Sequence, residues 1–222
     1  MQSGKTIPLL FGVALLLSCN ATRLVKPLET KQVQVGASVG GALIQLGSAT
    51  LPIPLTSVYG AYGMREKTTA FGSLHTTALL FGVFQTDIGI THRLLKQRQW
   101  IPAISLSPIA NIMMDRWEGR FSLYPQLDIH AYWEYGSKKH FFYTSVNNWF
   151  ELRNQRAHGE VQQTHWLPSL AMGHQWTGKK YSLQVETKYL APNQSNQNLV
   201  VDYVSPSNRG ALGVYVAVAR KF

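Results

Sequence analysis

Apolar and polar side chains alternate along most of the chain after residue 30 with a period of two, the pattern of strands that show one face to an apolar phase and one to water. Over residues 120–135 one face reads Phe121, Leu123, Pro125, Leu127, Ile129, Ala131, Trp133 and Tyr135. The other reads Arg120, Ser122, Tyr124, Gln126, Asp128, His130, Tyr132 and Glu134. Residues 181–189 divide in the same way, with Tyr181, Leu183, Val185 and Tyr189 opposed to Ser182, Gln184, Glu186 and Lys188. In the last segment Leu212, Val214, Val216, Val218 and Phe222 oppose Ala211, Gly213, Tyr215, Ala217 and Lys221. Less regular strand segments at 32–46, 55–65, 68–80, 84–95, 99–113, 140–152 and 166–177 bring the number to about ten. The pattern does not fix the faces of 55–80 and 140–152. No window sustains a 3.6-residue apolar period, so the fold class is all-β.

An even number of strands suits a closed antiparallel barrel, and about 20 residues per strand, turns included, suits strands that cross an apolar layer at a tilt. The expectation is a closed antiparallel up-and-down transmembrane β-barrel of about ten strands, with eight as the alternative count. Alternation alone is shared with a soluble β-sandwich. Three further features discriminate. Trp100, Trp133, Tyr135, Trp166, Trp176, Tyr181 and Tyr189 fall near strand ends, as in the aromatic girdles of membrane barrels. The connections alternate between short turns near Glu66, Gln97, Gly136-Ser137 and Gly178 and segments around 47–54, 81–83, 114–119, 153–165 and 191–210, a second set that holds the long, Asn/Gln-rich loops. The short turns carry the basic pairs Arg65/Lys67, Lys96/Arg98, Lys138/Lys139 and Lys179/Lys180, suited to the phosphates of an inner leaflet or simply to solvated turns.

The third feature is the end of the chain. Val214, Val216, Val218 and the terminal Phe222 resemble the C-terminal insertion signal of outer-membrane barrels, and Arg220 departs from that pattern. The front of the chain carries Lys5, an apolar run over residues 7–17 that is too short to span a bilayer, and then the lone cysteine, the order of a secretory signal. Leu16-Leu17-Ser18-Cys19 resembles the lipobox of bacterial lipoproteins, which implies lipidation at Cys19. Asn20 after it resembles the signal that permits transfer to the outer membrane. The chain as a whole resembles small bacterial outer-membrane β-barrel proteins with a lipoprotein signal peptide, though no characterised member. The division implied is a lipoprotein signal peptide at 1–18, a lipidated N-terminal linker at 19–30 and an outer-membrane β-barrel domain at 31–222. The partners implied are outer-membrane lipids and the lipoprotein-processing and barrel-assembly machinery.

Composition changes this picture only at the charge. Lys and Arg number 21 against 11 Asp and Glu. Nucleic acid is the usual partner of such a balance, but an exported chain does not meet it, and lipid phosphates take its place. The candidate chemistry is a polar network on the lumen faces: Asp87, Arg93, Arg120, Asp128, His130, Glu134, Glu186 and Lys188. Residues two and four apart on one strand stand about 7 and 13 Å from each other, so no single strand makes a triad or a metal site. Buried charges in a narrow lumen must pair, so a structural ion-pair plug is the leading reading. His75 and His92 read as facing lipid or the interface.

Outer-rim candidates for catalysis are His158, His165 and Glu160, and the carboxylates Asp115 and Glu118, without a recognisable nucleophile. The glycines form no phosphate loop, and no motif implies a cofactor or metal. Function is therefore expected to be that of a non-catalytic structural or interaction component of the envelope. A lipid- or peptide-modifying enzyme, a narrow pore and a soluble periplasmic β-sandwich are the alternatives.

Overall fold

The computed structural model describes residues 21–222 apart from 118, 138, 156–160, 198 and 200. The strands are β1 (Val33–Leu46), β2 (Ala49–Pro52), β3 (Leu55–Arg65), β4 (Thr68–His75), β5 (Val83–Leu95), β6 (Ala103–Asp115), β7 (Phe121–Tyr135), β8 (His140–Phe150), β9 (Trp166–Thr177), β10 (Tyr181–Ser195) and β11 (Arg209–Lys221). β2 aside, each strand pairs with the next in an antiparallel ladder, β1 with β3 and so on, and β11 pairs back onto β1 from Gln34↔Lys221 to Ala42↔Gly213. The sheet is a closed ten-stranded antiparallel barrel, with β2 folded as a short hairpin arm on the far end of β1. Closure removes every sheet edge from the wall, so each backbone group finds its partner without water.

The strand boundaries follow the alternation closely, with four main departures. Residues 99–102, read as the start of a strand, lie in the turn before β6, closed by an Arg98–Ile101 bridge. Residues 76–80, read as the end of a strand, form a single helical turn, α1 (Thr76–Leu80), after His75. The arm at 49–52 carries no alternation and was not expected. Strand β10 continues to Ser195, beyond the alternating stretch.

Which face looks inward settles the environment. Val35, Val39, Val58, Ile88, Ile90, Leu123, Ile129, Phe142, Val146, Leu170, Met172, Leu183 and Val218 stand exposed on the outside. Buried inside are Ser38, Ser57, Ser73, Asp87, Thr91, Ser105, Ser107, His130, Ser145, Asn147, Gln184, Glu186 and Lys188. A water-soluble sandwich would invert this distribution. An apolar exterior around a polar interior is the arrangement of a barrel whose outer solvent is lipid, so the fold is a transmembrane β-barrel and the soluble alternative falls. Among the described residues no helix is long and apolar enough to cross a membrane; the crossing is made by strands.

Aromatic rings collect on the outer surface towards both ends. At the short-turn end Tyr135 stacks on Phe142 at 5.5 Å, and His174 sits between Phe142 (4.3 Å) and Trp176 (4.0 Å). At the long-loop end Phe121, Phe150 and Trp166 are exposed, and Trp166 Nε1 donates to Asn148 Oδ1 at 3.0 Å. The β1–β11 register places the start of β1 and the end of β11 together at the short-turn end. Arg65, Lys67, Lys96, Arg98, Lys139, Lys179 and Lys180 are exposed there.

Candidate functional site

The lumen contains more than its own wall. Residues 21–28, expected only as a linker, run inside the barrel without joining any ladder, and Ala21, Thr22, Arg23, Leu24, Val25 and Leu28 are buried. The segment descends from mid-lumen to the short-turn mouth. There Lys31 N–H donates to Gly63 O at 2.7 Å and Gly63 N–H to Gln32 O at 2.9 Å, just before the chain enters β1. Gly63 is required at that crossing, because a Cβ on it would lie 1.9 Å from the carbonyl oxygen of Glu29.

A strand donates and accepts along its ladder, but this segment has none, so the wall must satisfy its backbone. Thr22 N–H donates to Glu186 Oε1 at 3.1 Å, and Gln184 Nε2 donates to Thr22 O at 3.0 Å. Thr91 Oγ1 donates to Leu24 O at 3.0 Å, Ser105 Oγ donates to Val25 O, and Leu28 N–H donates to Thr69 Oγ1 at 2.8 Å. The small hydroxyl residues of the inner face therefore act as a sleeve of backbone partners. The apolar side chains of the segment find apolar ground between them: Leu24 and Leu28 cluster with Ala61 and Phe71, and Val25 with Ala103, Tyr132, Phe141 and Tyr143.

Arg23 makes the densest contacts. Nε donates to Asp87 Oδ2 at 3.3 Å, and Nη1 to Ser38 Oγ at 3.2 Å and Ser57 Oγ at 2.7 Å. Nη2 donates to Ser73 Oγ and to Asp87 Oδ2, each at 3.0 Å. His75 Nε2 lies 3.0 Å from the same Oδ2 and 3.4 Å from Arg23 Nη2. One ring nitrogen cannot donate and accept at once. The shorter contact, to the carboxylate, identifies Nε2 as the donor, and the guanidinium is a neighbour of the ring and not its partner. Ser73 Oγ also donates to Oδ2.

The eight residues expected to form one network separate into several groups. Asp87 belongs to the Arg23 cluster. Glu186 accepts from Tyr143 OH at 2.7 Å and pairs with Lys188 at 3.4 Å, and Lys188 also lies over the Tyr215 ring at 5.6 Å. Glu134 pairs with Lys26 of the inserted segment, and Arg93 pairs with the exposed Glu66 at 3.2 Å near the short-turn mouth. Asp128 accepts from Gln126 at 2.8 Å. His130, fully buried, lies between Ser107 (3.2 Å) and Ser145 (2.7 Å). Arg120 is a correction: it precedes β7 and is exposed, because the inward alternation begins only at Ser122. His75 is a second one. It faces the lumen, since Thr69, Phe71, Ser73 and His75 form the buried face of β4, whereas His92 faces outward and bonds Thr68 at 2.8 Å.

Sequence reasoning missed Arg23 and its segment, because eight residues with one arginine and no alternation carry no sign of where they go. Of the catalytic candidates, Asp115 caps its own turn by accepting from Trp117 N–H at 2.8 Å, and His165 Nδ1 lies 2.8 Å from Glu151 O. Glu118, His158, Glu160 and Cys19 lie outside the described residues. Among the described residues no group of three or more His, Cys, Asp or Glu is placed to hold a metal ion. The residues of the C-terminal motif, Val214, Val216, Val218 and Phe222, all lie on the outward side, and Arg220 caps that row with its guanidinium 4.7 Å from the Phe222 ring.

No protein-family model matches the sequence, and no curated protein sequence does. Solved structures similar to the chain include the translocator domain of the autotransporter NalP from Neisseria meningitidis, at 11% identity over 93% of this chain and 91% of that one, with a TM-score of 0.45. The NanC porin is similar at 9% identity over 87% and 99%, with a TM-score of 0.42. Ail of Yersinia pestis is similar at 7% identity over 88% and 100%, with a TM-score of 0.28. These likenesses are too distant to transfer a function. The class stands on the closed ladder and the inverted polarity of its two faces.

Proposed function

We propose that the chain is an outer-membrane lipoprotein whose barrel is closed, and that it serves as a non-catalytic structural or interaction component of the cell envelope. The observation that carries this reading is the lumen, filled by residues 21–28 and by side chains bonded to them. A transport pore needs a continuous polar path. Here the backbone of the inserted segment takes the hydrogen bonds that water or a solute would otherwise make. The apolar outer band would face lipid, the exposed lysines and arginines of the short turns would meet phosphates of the inner leaflet, and the barrel-assembly machinery would read Val214, Val216, Val218 and Phe222.

Planar-bilayer recording of the purified full-length protein tests the closed barrel, and no steady current is expected. Large steady conductance would replace this reading with that of a pore. The anchor is tested separately: wild-type protein is expected to incorporate labelled palmitate and Cys19→Ala to lose it. Equal labelling of both would remove the lipoprotein assignment and leave the barrel untouched.

A further inference from the structure

The Arg23 cluster is built by the wall, not by the segment that fills it. Ser38 and Ser57 are cross-strand partners in the β1–β3 ladder, Ser57 and His75 in β3–β4, and Ser73 and Asp87 in β4–β5. Four hydrogen-bonded strands therefore hold these five side chains at one level of the lumen whether or not Arg23 is present. Ser38 and Ser57 already bond each other at 2.7 Å, and Ser73 and His75 already bond Asp87. The guest, in contrast, belongs to a segment with no ladder of its own.

The match to a guanidinium is complete. Such a group has five N–H donors in a rigid planar fork. All five are used: Nε on Asp87, Nη1 on Ser38 and Ser57, Nη2 on Ser73 and Asp87. An ammonium, with three donors around a point, cannot reach all three serines and the carboxylate together. Asp87 itself is buried at 3% exposure, and its second oxygen, Oδ1, has no hydrogen-bond partner among the described residues. The carboxylate thus retains acceptor capacity on the side the fork does not use.

We infer that the inner wall of β1, β3, β4 and β5 is a guanidinium-binding site, occupied in cis by Arg23, which latches residues 21–28 into the lumen. With that side chain removed, the site takes a guanidinium from solution, and its ligand class is an alkylguanidinium, including the arginine side chain of an extended peptide. This rests on the reading of the lumen as closed by its own segment.

The test uses the full-length Arg23→Ala protein in detergent micelles, with thermal unfolding followed in ethylguanidinium and, separately, in ethylammonium, both far below denaturing concentrations. Ethylguanidinium is expected to restore most of the lost melting temperature of Arg23→Ala, ethylammonium little of it, and neither to move the wild type, whose site is full. Arg23→Ala combined with Asp87→Asn is expected not to respond. No rescue, equal rescue by both cations, or rescue that persists in the double variant would overturn the proposal. Should Arg23→Ala fail to refold alone, its refolding yield becomes the readout. Recovery in ethylguanidinium and not in ethylammonium supports the site, and recovery in neither overturns it. Conductance of the wild type, which decides whether the barrel is closed, plays no part in these outcomes, so the two readings fail separately.

Discussion

The two sides of the lumen grip adjacent residues, Thr22 on one side and Arg23 on the other, by different means. On the β8–β10 side, Glu186 has its cation on its own strand, Lys188 at 3.4 Å, and holds the inserted segment only through the backbone N–H of Thr22. On the β1–β5 side, Asp87 takes its guanidinium from the inserted segment. The first side is a wall that neutralises itself and offers hydrogen bonds to any extended backbone. The second is specific, because it is complete only when an arginine arrives. The inferred latch thus rests the filling of the lumen on one side chain more than on the number of contacts around it.

Removing that side chain should have the largest effect. Arg23→Ala leaves a buried carboxylate without its cation and three serines without their donor, and breaking a buried pair from one side typically costs about 3–5 kcal/mol. Thermal melting in detergent is expected to show this as the greatest loss in the series. Thr22 should also become reactive: with Cys19→Ala and Thr22→Cys in both backgrounds, a water-soluble maleimide should label the Arg23→Ala protein much faster than its Arg23 counterpart. Equal labelling would mean that the backbone bonds to Glu186 and Gln184 hold the segment without the latch, and the contrast between the two sides would be lost.

A smaller loss belongs to the other side. Tyr143 OH donates to Glu186 at 2.7 Å and accepts from Gln184 at 2.8 Å. It reaches that place over Gly173, its cross-strand partner, where a Cβ would lie 2.4 Å from the hydroxyl. Tyr143→Phe removes a hydrogen bond to a charged acceptor, about 1.5–3 kcal/mol. Because Lys188 and Thr22 still serve Glu186, the segment should stay in place. A drop in melting temperature without faster labelling of Thr22→Cys is the expected result. Faster labelling would make the two sides equivalent.

What the sequence disclosed, and what it withheld, follows the same division. The wall was legible because a strand between lipid and a polar lumen must alternate, and β7, β10 and β11 do so almost without exception. Asp128, His130, Glu134, Glu186 and Lys188 were placed on the inner face by that rule alone. Their partners were not legible. Register decides which strands meet, so Ser107 and Ser145 beside His130 appear only once β6, β7 and β8 are aligned. The face of β4 was hidden because Thr68, Thr69 and Gly72 blur the alternation, and His75 was lost with it. Arg23 was hidden for a deeper reason: a segment that pairs with side chains has no period to read, and its destination is set by a site assembled from four separate strands.

The smallest expected effect lies at the mouth. Glu66 pairs with Arg93 at 3.2 Å and with Lys96 at 3.6 Å, but its side chain is 73% exposed. Water already solvates the carboxylate there, and two long side chains lose rotamer freedom to meet it, so exposed pairs are worth about 0–1 kcal/mol. Glu66→Ala should therefore leave the melting temperature within the error of the wild type and leave labelling of Thr22→Cys unchanged. Arg93 is the more enclosed partner, with 13% of its side chain exposed, but it stands near the short-turn mouth, where solvent can take the place of Glu66. A loss as large as that of Tyr143→Phe would show that ion pairs at the mouth, and not the guanidinium latch deeper in the lumen, hold the lower half of the barrel together.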